Sequence, residues 1–258
     1  MAADSMTAEP SVPVVKKVSF DDLAAVLRAG WSDFMKAPIY GLFFASVFVV
    51  GGWIMFYGLT RAGMAWLTLP ASAGFPILGP FIACGLYEVS RRLEAGLPLS
   101  WDAVLGVIWA EKNRQIPSIA VVIVVFFLFW NFLGHMIFAL FMGLSAMTNV
   151  SSSLEIYFTA NGLMMLAVGT VVGAVFATVL FSITVVSLPL LMDREVDFVT
   201  AMITSFNTVQ KNPVVMLAWG AIIAVLTFLA MLPGFLGLFV VLPVLGHATW
   251  HLYRRALG

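Results

Sequence analysis

Charged residues are scarce in this chain: 10% of its 258 residues are Asp, Glu, Lys or Arg, and 62% are hydrophobic. A soluble domain carries about 25% charged residues, because its surface has to face water. The mean hydropathy of +1.03 agrees with this imbalance. These proportions exclude a soluble enzyme and a disordered chain, and they predict an integral membrane protein.

Cysteine and an excess of basic residues are also lacking. Cys84 is the only cysteine, which excludes an internal disulfide framework and a multi-cysteine metal site. It lies in an apolar run and is predicted to be a small core residue. Thirteen Lys and Arg balance thirteen Asp and Glu, so nothing indicates a nucleic-acid partner. The acidic start lacks the apolar stretch of a signal peptide, and residues 1–17 are predicted to be a disordered cytoplasmic tail.

Six apolar segments are long enough to cross a bilayer, which takes about 20 residues. Each is expected to be a helix, because an open sheet would leave backbone groups unpaired in lipid. The segments are residues 39–59, 64–88, 117–145, 160–191, 214–232 and 235–253. The predicted fold class is therefore all-α: a polytopic membrane helix bundle with six transmembrane helices, formed by residues 18–258 as one membrane domain.

Lysine and arginine are distributed unevenly between the two sides of this predicted bundle. With six spans, twelve of the thirteen cations fall on the side of the two termini, and Arg61 alone falls on the other side. Cytoplasmic loops carry the excess of Lys and Arg in membrane proteins. Both termini are therefore predicted to be cytoplasmic, and the polar loop at residues 148–155 is predicted to lie on the opposite side.

Three segments that precede the first, third and fifth spans share a pattern. Each begins near an Asp, carries aromatic residues, gains a cation late and ends in proline, with Asp-to-Pro spacings of 16, 15 and 16 residues. Each is predicted to be a cytoplasmic amphipathic interfacial helix followed by a two-span hairpin. The units would be residues 18–96, 97–193 and 194–258, a three-fold parallel internal repeat. Chance is the alternative, since any loop that leads into a span favours such a pattern.

The first of these segments has two distinct faces. Ser19 and Asp22 are predicted to cap its start. The apolar stripe comprises Phe20, Leu23, Ala24, Leu27, Trp31, Phe34 and Met35, and the polar face comprises Asp21, Asp22, Arg28, Ser32, Asp33 and Lys36. Trp31, Trp101 and Trp109 are expected to anchor the three helices among lipid headgroups, although such helices could also cap the bundle or hold a partner.

Polar residues within the predicted spans are few, and they are the candidate functional residues. Asn131 and His135 lie four residues apart on the third span, and His247 and His251 lie four apart on the sixth. At 1.5 Å per residue, His135 is expected about 27 Å and His247 about 10 Å from the cytoplasmic side, which argues against a shared haem or metal site. No carboxylate or thiol within the sixth span completes a metal site with its two histidines.

Glu88 ends the second span and is expected to pair with Arg91 and Arg92. Gly169 and Gly173 match the spacing of small residues at helix contacts in membranes. No phosphate-binding loop, zinc-protease motif or nucleophile elbow is present. The sequence therefore predicts no catalytic, cofactor-binding or metal-ligating residue, and no cofactor.

The stretch from Gly79 to Gly96 resembles a bacterial integral-membrane family of unknown function, family 2189. The stretches Ser187–Arg194 and Gly246–Arg254 are similar to it as well. The resemblance covers roughly residues 18–258. It implies six spans and a bacterial cytoplasmic (inner) membrane, and it supplies no activity and no functional residues.

Two functional hypotheses follow. The first is a non-enzymatic accessory, scaffold or assembly factor, a role that leaves open a place beside a respiratory complex. The second is a transporter or channel for a neutral or lipidic solute, because transporters use repeats and proline-broken spans near their binding sites. The expected partners are the lipid bilayer and either another membrane protein or a second copy of the chain. A continuous polar cavity would favour the second hypothesis.

Overall fold

The computed structural model describes residues 14–60, 68–143 and 157–258, in which the regular structure is helical throughout. The α-helices are α1 Phe20–Lys36, α2 Pro38–Thr60, α3 Thr68–Glu94, α4 Trp101–Glu111, α5 Ile116–Met142, α6 Ala160–Thr184, α7 Ser187–Asp193, α8 Phe198–Lys211, α9 Pro213–Met231 and α10 Leu238–Leu257. The all-α prediction is confirmed for these residues. The tail up to residue 13, Arg61 and the loop at 148–155 lie outside the described residues.

Four stretches of helix are long and apolar enough to cross a membrane: Pro38–Gly58, Ile116–Met142, Ala160–Asp193 and Pro213–Met231. They correspond to the first, third, fourth and fifth predicted spans. The second and sixth predicted spans form helices α3 and α10, which end in the basic pairs Arg91–Arg92 and Arg254–Arg255. For these two helices, crossing the membrane stays a prediction.

The short helices begin and end where local chemistry requires. Ser19 and Asp22 form a reciprocal capping box at the start of α1, as predicted, and Asp197 caps α8 by accepting a hydrogen bond from the Thr200 backbone N–H. Pro38 and Pro213 are the first residues of α2 and α9. A proline disfavours helix at the residue before it but fits the first turn of a new helix. Helices α1 and α8 therefore each end just before a proline that begins a long helix.

The helices pack in a cyclic order. Each short helix lies against the helix that ends the preceding hairpin: α4 on α3, and α8 on α6 and α7. Helix α1 has no preceding hairpin, and it packs on α10, which ends the last one. Helices α3, α7 and α10 also contact one another. The first helix, α1, therefore packs on the last, α10.

The contact between α1 and α10 brings two backbones together. A Cβ added at Gly30 would lie 2.5 Å from the Val244 carbonyl O and 2.7 Å from the Ala248 N. On the same face Leu23, Val26 and Asp33 are buried. Asp33, which the sequence places on the polar face of α1, is buried and turns towards α10, where His251 bonds to it.

The main core is formed by buried residues of α1, α3, α5, α7, α8, α9 and α10. Its largest fully buried side chains include Trp219, Trp250 and Tyr253. Cys84 is also fully buried there, which confirms its prediction as a core residue. The core is thus concentrated at the end of the bundle that carries the basic pairs.

The outward faces of the three short helices each expose an apolar stripe at helical spacing. These stripes consist of Phe20, Trp31 and Met35 on α1, Trp101, Leu105 and Trp109 on α4, and Val199, Ile203 and Phe206 on α8. The inward face of α8 instead carries hydroxyl groups, with Thr204, Ser205 and Thr208 buried. An apolar outside and a partly polar inside suit a helix whose outer surroundings are lipid.

Candidate functional site

Four polar side chains from α1, α3 and α10 meet at residues 247–251 of α10. The Nε2 atom of His251 lies 2.7 Å from a carboxylate oxygen of Asp33 on α1. One turn earlier, Nδ1 of His247 lies 2.8 Å from the hydroxyl oxygen of Ser90 on α3. Ser90 and His247 are fully buried, and Asp33 is only 5% exposed. These four residues, the histidine cluster, join α1, α3 and α10.

The electrostatics of the histidine cluster favour an ionised Asp33. Burial opposes its negative charge, but hydrogen bonding from His251 and Ser90 and the nearby histidines outweigh that effect and hold the pKa of Asp33 below its ordinary value. The second ring nitrogen of His247, Nε2, is buried and has no hydrogen-bond partner among the described residues. A buried polar atom without a partner is uncommon in folded proteins and marks this cluster for attention.

Glu88 lies two residues before Ser90 on α3 and is fully buried. Arg91 binds both of its carboxylate oxygens, at 2.7 and 2.8 Å, and Arg92 binds one of them at 2.7 Å. The predicted pairing is therefore confirmed. Two guanidinium groups satisfy both carboxylate oxygens, so Glu88 holds the last turns of α3 together.

The last turns of α3, α7 and α10 are joined by a second set of charged and polar side chains. Arg254 lies 3.3 Å from Glu94 of α3 and 3.5 Å from Asp193 of α7. The Tyr253 hydroxyl also donates to Asp193, at 2.6 Å. The Trp250 indole N–H donates to Glu94 at 3.0 Å. This group, the end cluster, ties the C-terminal ends of α3, α7 and α10 into one layer.

Asn212, at the break between α8 and α9, holds the chain segment that precedes α1. Its side-chain oxygen accepts from the backbone N–H of Val18 at 2.9 Å, and its amide donates to the Lys16 carbonyl at 3.0 Å. The backbone N–H of Lys16 donates in turn to the Ala256 carbonyl of α10. The first described residues thus form an extended strap that contacts Asn212 and the end of α10.

The other predicted pair does not join this site. Asn131 donates to the Phe127 carbonyl, and Nδ1 of His135 lies 2.7 Å from the Asn131 carbonyl, so both side chains bond to their own helix. His135 is exposed on α5. Among the described residues, no group of three or more His, Cys, Asp or Glu side chains could hold a metal ion.

Sequence reasoning found His247 and His251 but missed Asp33 and Ser90. Asp33 looked like part of a solvated face, and Ser90 like an ordinary residue near the end of a span. The one available signal was Gly30, because a glycine three residues before Asp33 permits the backbone approach that brings this carboxylate to α10. Pattern alone cannot say which helix fills that space.

Three cavities open between the long helices, of about 370, 470 and 430 Å³. Gly173 borders two of them and packs on the Trp130 ring, whereas Gly169 has open space beside it. The 470 Å³ cavity lies between α2, α9 and α10 and is lined by Phe48, Gly52, Met55, Phe56, Phe75, Thr227, Met231, Phe235, Leu238 and Leu242. Aromatic and aliphatic groups dominate these linings, so they suit apolar occupants.

A family described as "Predicted integral membrane protein (DUF2189)" matches residues 68–193, from α3 to the end of α7. The match spans just under half of the chain and contains two of the three stretches on which the resemblance was based. No curated protein and no solved structure matches the chain. Together with the four apolar helices, this similarity establishes an integral membrane protein of unknown function.

Proposed function

We propose that the chain crosses the bacterial cytoplasmic membrane six times, with both termini in the cytoplasm. The end cluster supports this topology. If α3 and α10 did not cross, Glu94 and Arg254 would lie on opposite sides of the membrane, yet their side chains are 3.3 Å apart. At 27 and 20 residues, α3 and α10 are long enough to span about 30 Å of hydrocarbon.

The three-fold repeat is part of this proposal, and a matched pair of contacts supports it. Gly30 and Ser205 each stand eight residues before the proline that opens the next helix. Gly30 lies on the Val244 carbonyl and the Ala248 N–H; Ser205 donates to the Ser182 carbonyl and accepts from the Val186 N–H. In each case the two contacted residues lie four positions apart, at 244 and 248 for Gly30 and at 182 and 186 for Ser205. The second unit departs from this pattern, since α4 is shorter and the corresponding Trp109 is exposed.

The protein then acts as a non-enzymatic accessory, scaffold or assembly factor. The observation that carries this proposal is the use of the buried polar side chains: the histidine cluster joins α1, α3 and α10, and Asn212 holds the segment that precedes α1. Such contacts build a rigid cytoplasmic platform, with α1, α4 and α8 lying in the membrane interface around it. Exposed aromatic residues on those helices offer contacts to lipid or to a partner.

Affinity purification in mild detergent, followed by mass spectrometry, tests the scaffold proposal. We expect a stoichiometric membrane-protein partner, and we expect Trp109→Ala on the exposed face of α4 to reduce its recovery. Phe129→Ala, at an exposed aromatic residue of α5, is the matched control and should leave recovery unchanged. Recovery of the protein alone would count against a scaffold.

A second candidate function is transport of a lipidic solute, which the 470 Å³ cavity favours. Ligand pockets typically hold about 300–1,000 Å³ and are lined mostly by apolar groups. Thr227→Phe should fill this cavity and lower the amount of lipid that co-purifies and its flux in proteoliposomes, whereas Thr178→Phe on the exposed side of α6 should not. Equal lipid content and flux in both variants would remove this candidate.

A further inference from the structure

We infer that the histidine cluster is a proton-sensitive latch, which holds α1 on the membrane helices at neutral pH and releases it when the cytoplasmic side becomes acidic. The inference does not depend on the scaffold proposal, because it concerns only how α1 is held. It rests on the geometry of His247 and on the position of Asp33, which lies on the face of α1 that packs against α10.

His247 occupies a place that fits a neutral ring. A neutral imidazole has one N–H donor and one acceptor, whereas a protonated ring has two donors. Nδ1 of His247 is matched by Ser90, whereas Nε2 is buried and makes no hydrogen bond among the described residues. A buried donor without an acceptor destabilises the folded state, and it does so more strongly when it is charged. Protonation of the ring therefore acts against the closed arrangement.

The groups that face His247 do not remove this cost. From α1, the charged group is Asp33, which is already bound to His251 at 2.7 Å. From α3 they are the uncharged hydroxyl of Ser90 and the backbone carbonyl of Leu86, and from α10 itself the group is His251. A protonated His247 would compete with His251 for one carboxylate. That competition would weaken the link between Asp33 and α10, which is the buried polar attachment of α1.

Opening the latch gives the ring access to water and allows it to bind a proton. An open state that binds one more proton than the closed state gains about tenfold in population for each pH unit below the ordinary histidine range, near 6.5. Asp33 acts in the same direction at lower pH. Its pKa is lowered in the folded protein, so its contribution is present at neutral pH and is lost only below its ordinary value of 3.8. Between pH 7 and 5, His247 therefore governs release.

Hydrogen exchange of the α1 backbone, measured on the full chain in lipid nanodiscs, tests this inference. After correction for the exchange rate of an unstructured peptide, we expect opening of α1 to rise about fivefold between pH 6.5 and 5.5. His247→Gln keeps an amide beside Ser90 but cannot be protonated, and it should abolish this rise. His135→Gln removes the exposed histidine of α5 and should behave as the unmodified protein does.

A flat profile for the unmodified protein, or a rise that persists in His247→Gln, would overturn the inference. If His247→Gln fails to fold, selective ¹⁵N labelling of the three histidines gives a second test. The His247 ring should stay neutral until α1 loses protection and should then be protonated in the same pH interval. Protonation of His247 while α1 stays protected would contradict a latch.

Discussion

Gly30 is the residue at which α1 and α10 come closest, and it has no room for a side chain. A Cβ there would meet the backbone at Val244 and Ala248 and the Ala248 methyl group, all within 2.9 Å. Gly30→Ala should therefore push α1 away and lower the free energy of unfolding by about 1–3 kcal/mol, the typical cost of overpacking. Thermal unfolding in detergent would measure this loss.

Gly106→Ala on α4 is the matched control, since a Cβ there has open space. Alanine favours helix over glycine by about 1 kcal/mol, so the control should be neutral or stabilising. Equal losses in the two variants would mean that the contact at Gly30 is not tight. Helix propensity alone would rank both substitutions as favourable, and only the structure separates them.

Asp22 gives a residue-level prediction about acid stability. The Ser19 backbone N–H and hydroxyl and the Arg255 guanidinium favour its carboxylate and lower its pKa from the ordinary 3.8. The folded state thus binds protons less readily than the unfolded state, so this stabilisation is complete above pH 5 and is lost as the pH falls below 4. Asp22→Asn should lower the free energy of unfolding at pH 6 by about 1 kcal/mol and have little effect at pH 3.

Asp21→Asn is the control for this measurement, because Asp21 is its exposed neighbour in the first turn of α1. Melting curves at pH 6 and pH 3 should show a difference that depends on pH for the Asp22 variant and a smaller one for the control. The same loss at both pH values would show that the Asp22 carboxylate does not act through its charge.

The elements themselves were largely predictable from sequence, but their partners were not. The caps at Ser19 and Asp197 and the prolines at 38 and 213 are local signals, so the ends of α1 and α8 follow from a few neighbouring residues. The pairing of α1 with α10 joins residues more than 200 positions apart. Hydrophobic periodicity states which face of a helix is apolar, and it cannot identify the helix that covers that face.

Asn212 shows how one side chain can join two distant elements. It is buried, and it bonds to the backbone of Lys16 and Val18 on both sides of its amide. Asn212→Leu would leave those backbone groups without partners, at a cost of about 1–3 kcal/mol for each buried group. We expect faster hydrogen exchange in residues 14–19, with α9 still protected.

Asn207→Leu is the control for the strap, since Asn207 is an exposed residue of α8, the helix that ends just before Asn212. Its exchange profile over residues 14–19 should match that of the unmodified protein. If Asn212→Leu also leaves this segment protected, the contact with Ala256 of α10 is enough to hold the strap, and Asn212 has a smaller role than its bonds indicate.

At the scale of the whole molecule, the question is whether α3 and α10 cross the membrane, and labelling of single cysteines can decide it. With six spans, residues 36 and 112 share the cytoplasmic side and residue 152 lies opposite. With only the four most apolar spans, residue 112 would lie on the side opposite residue 36. Residue 152 would then lie on the same side as residue 36. Lys36→Cys and Lys112→Cys should thus react with an impermeant maleimide only after the membrane is opened.

Ser152→Cys should react in intact spheroplasts, and the unmodified protein provides the background, since the Cys84 thiol is fully buried. Labelling of Lys112→Cys in intact spheroplasts, with Ser152→Cys protected, would reverse the assignment and favour four spans. That result would conflict with the contacts of Arg254, which reach both Glu94 and Asp193. We expect six spans, because ion pairs between the ends of α3, α7 and α10 require those ends to lie on one side.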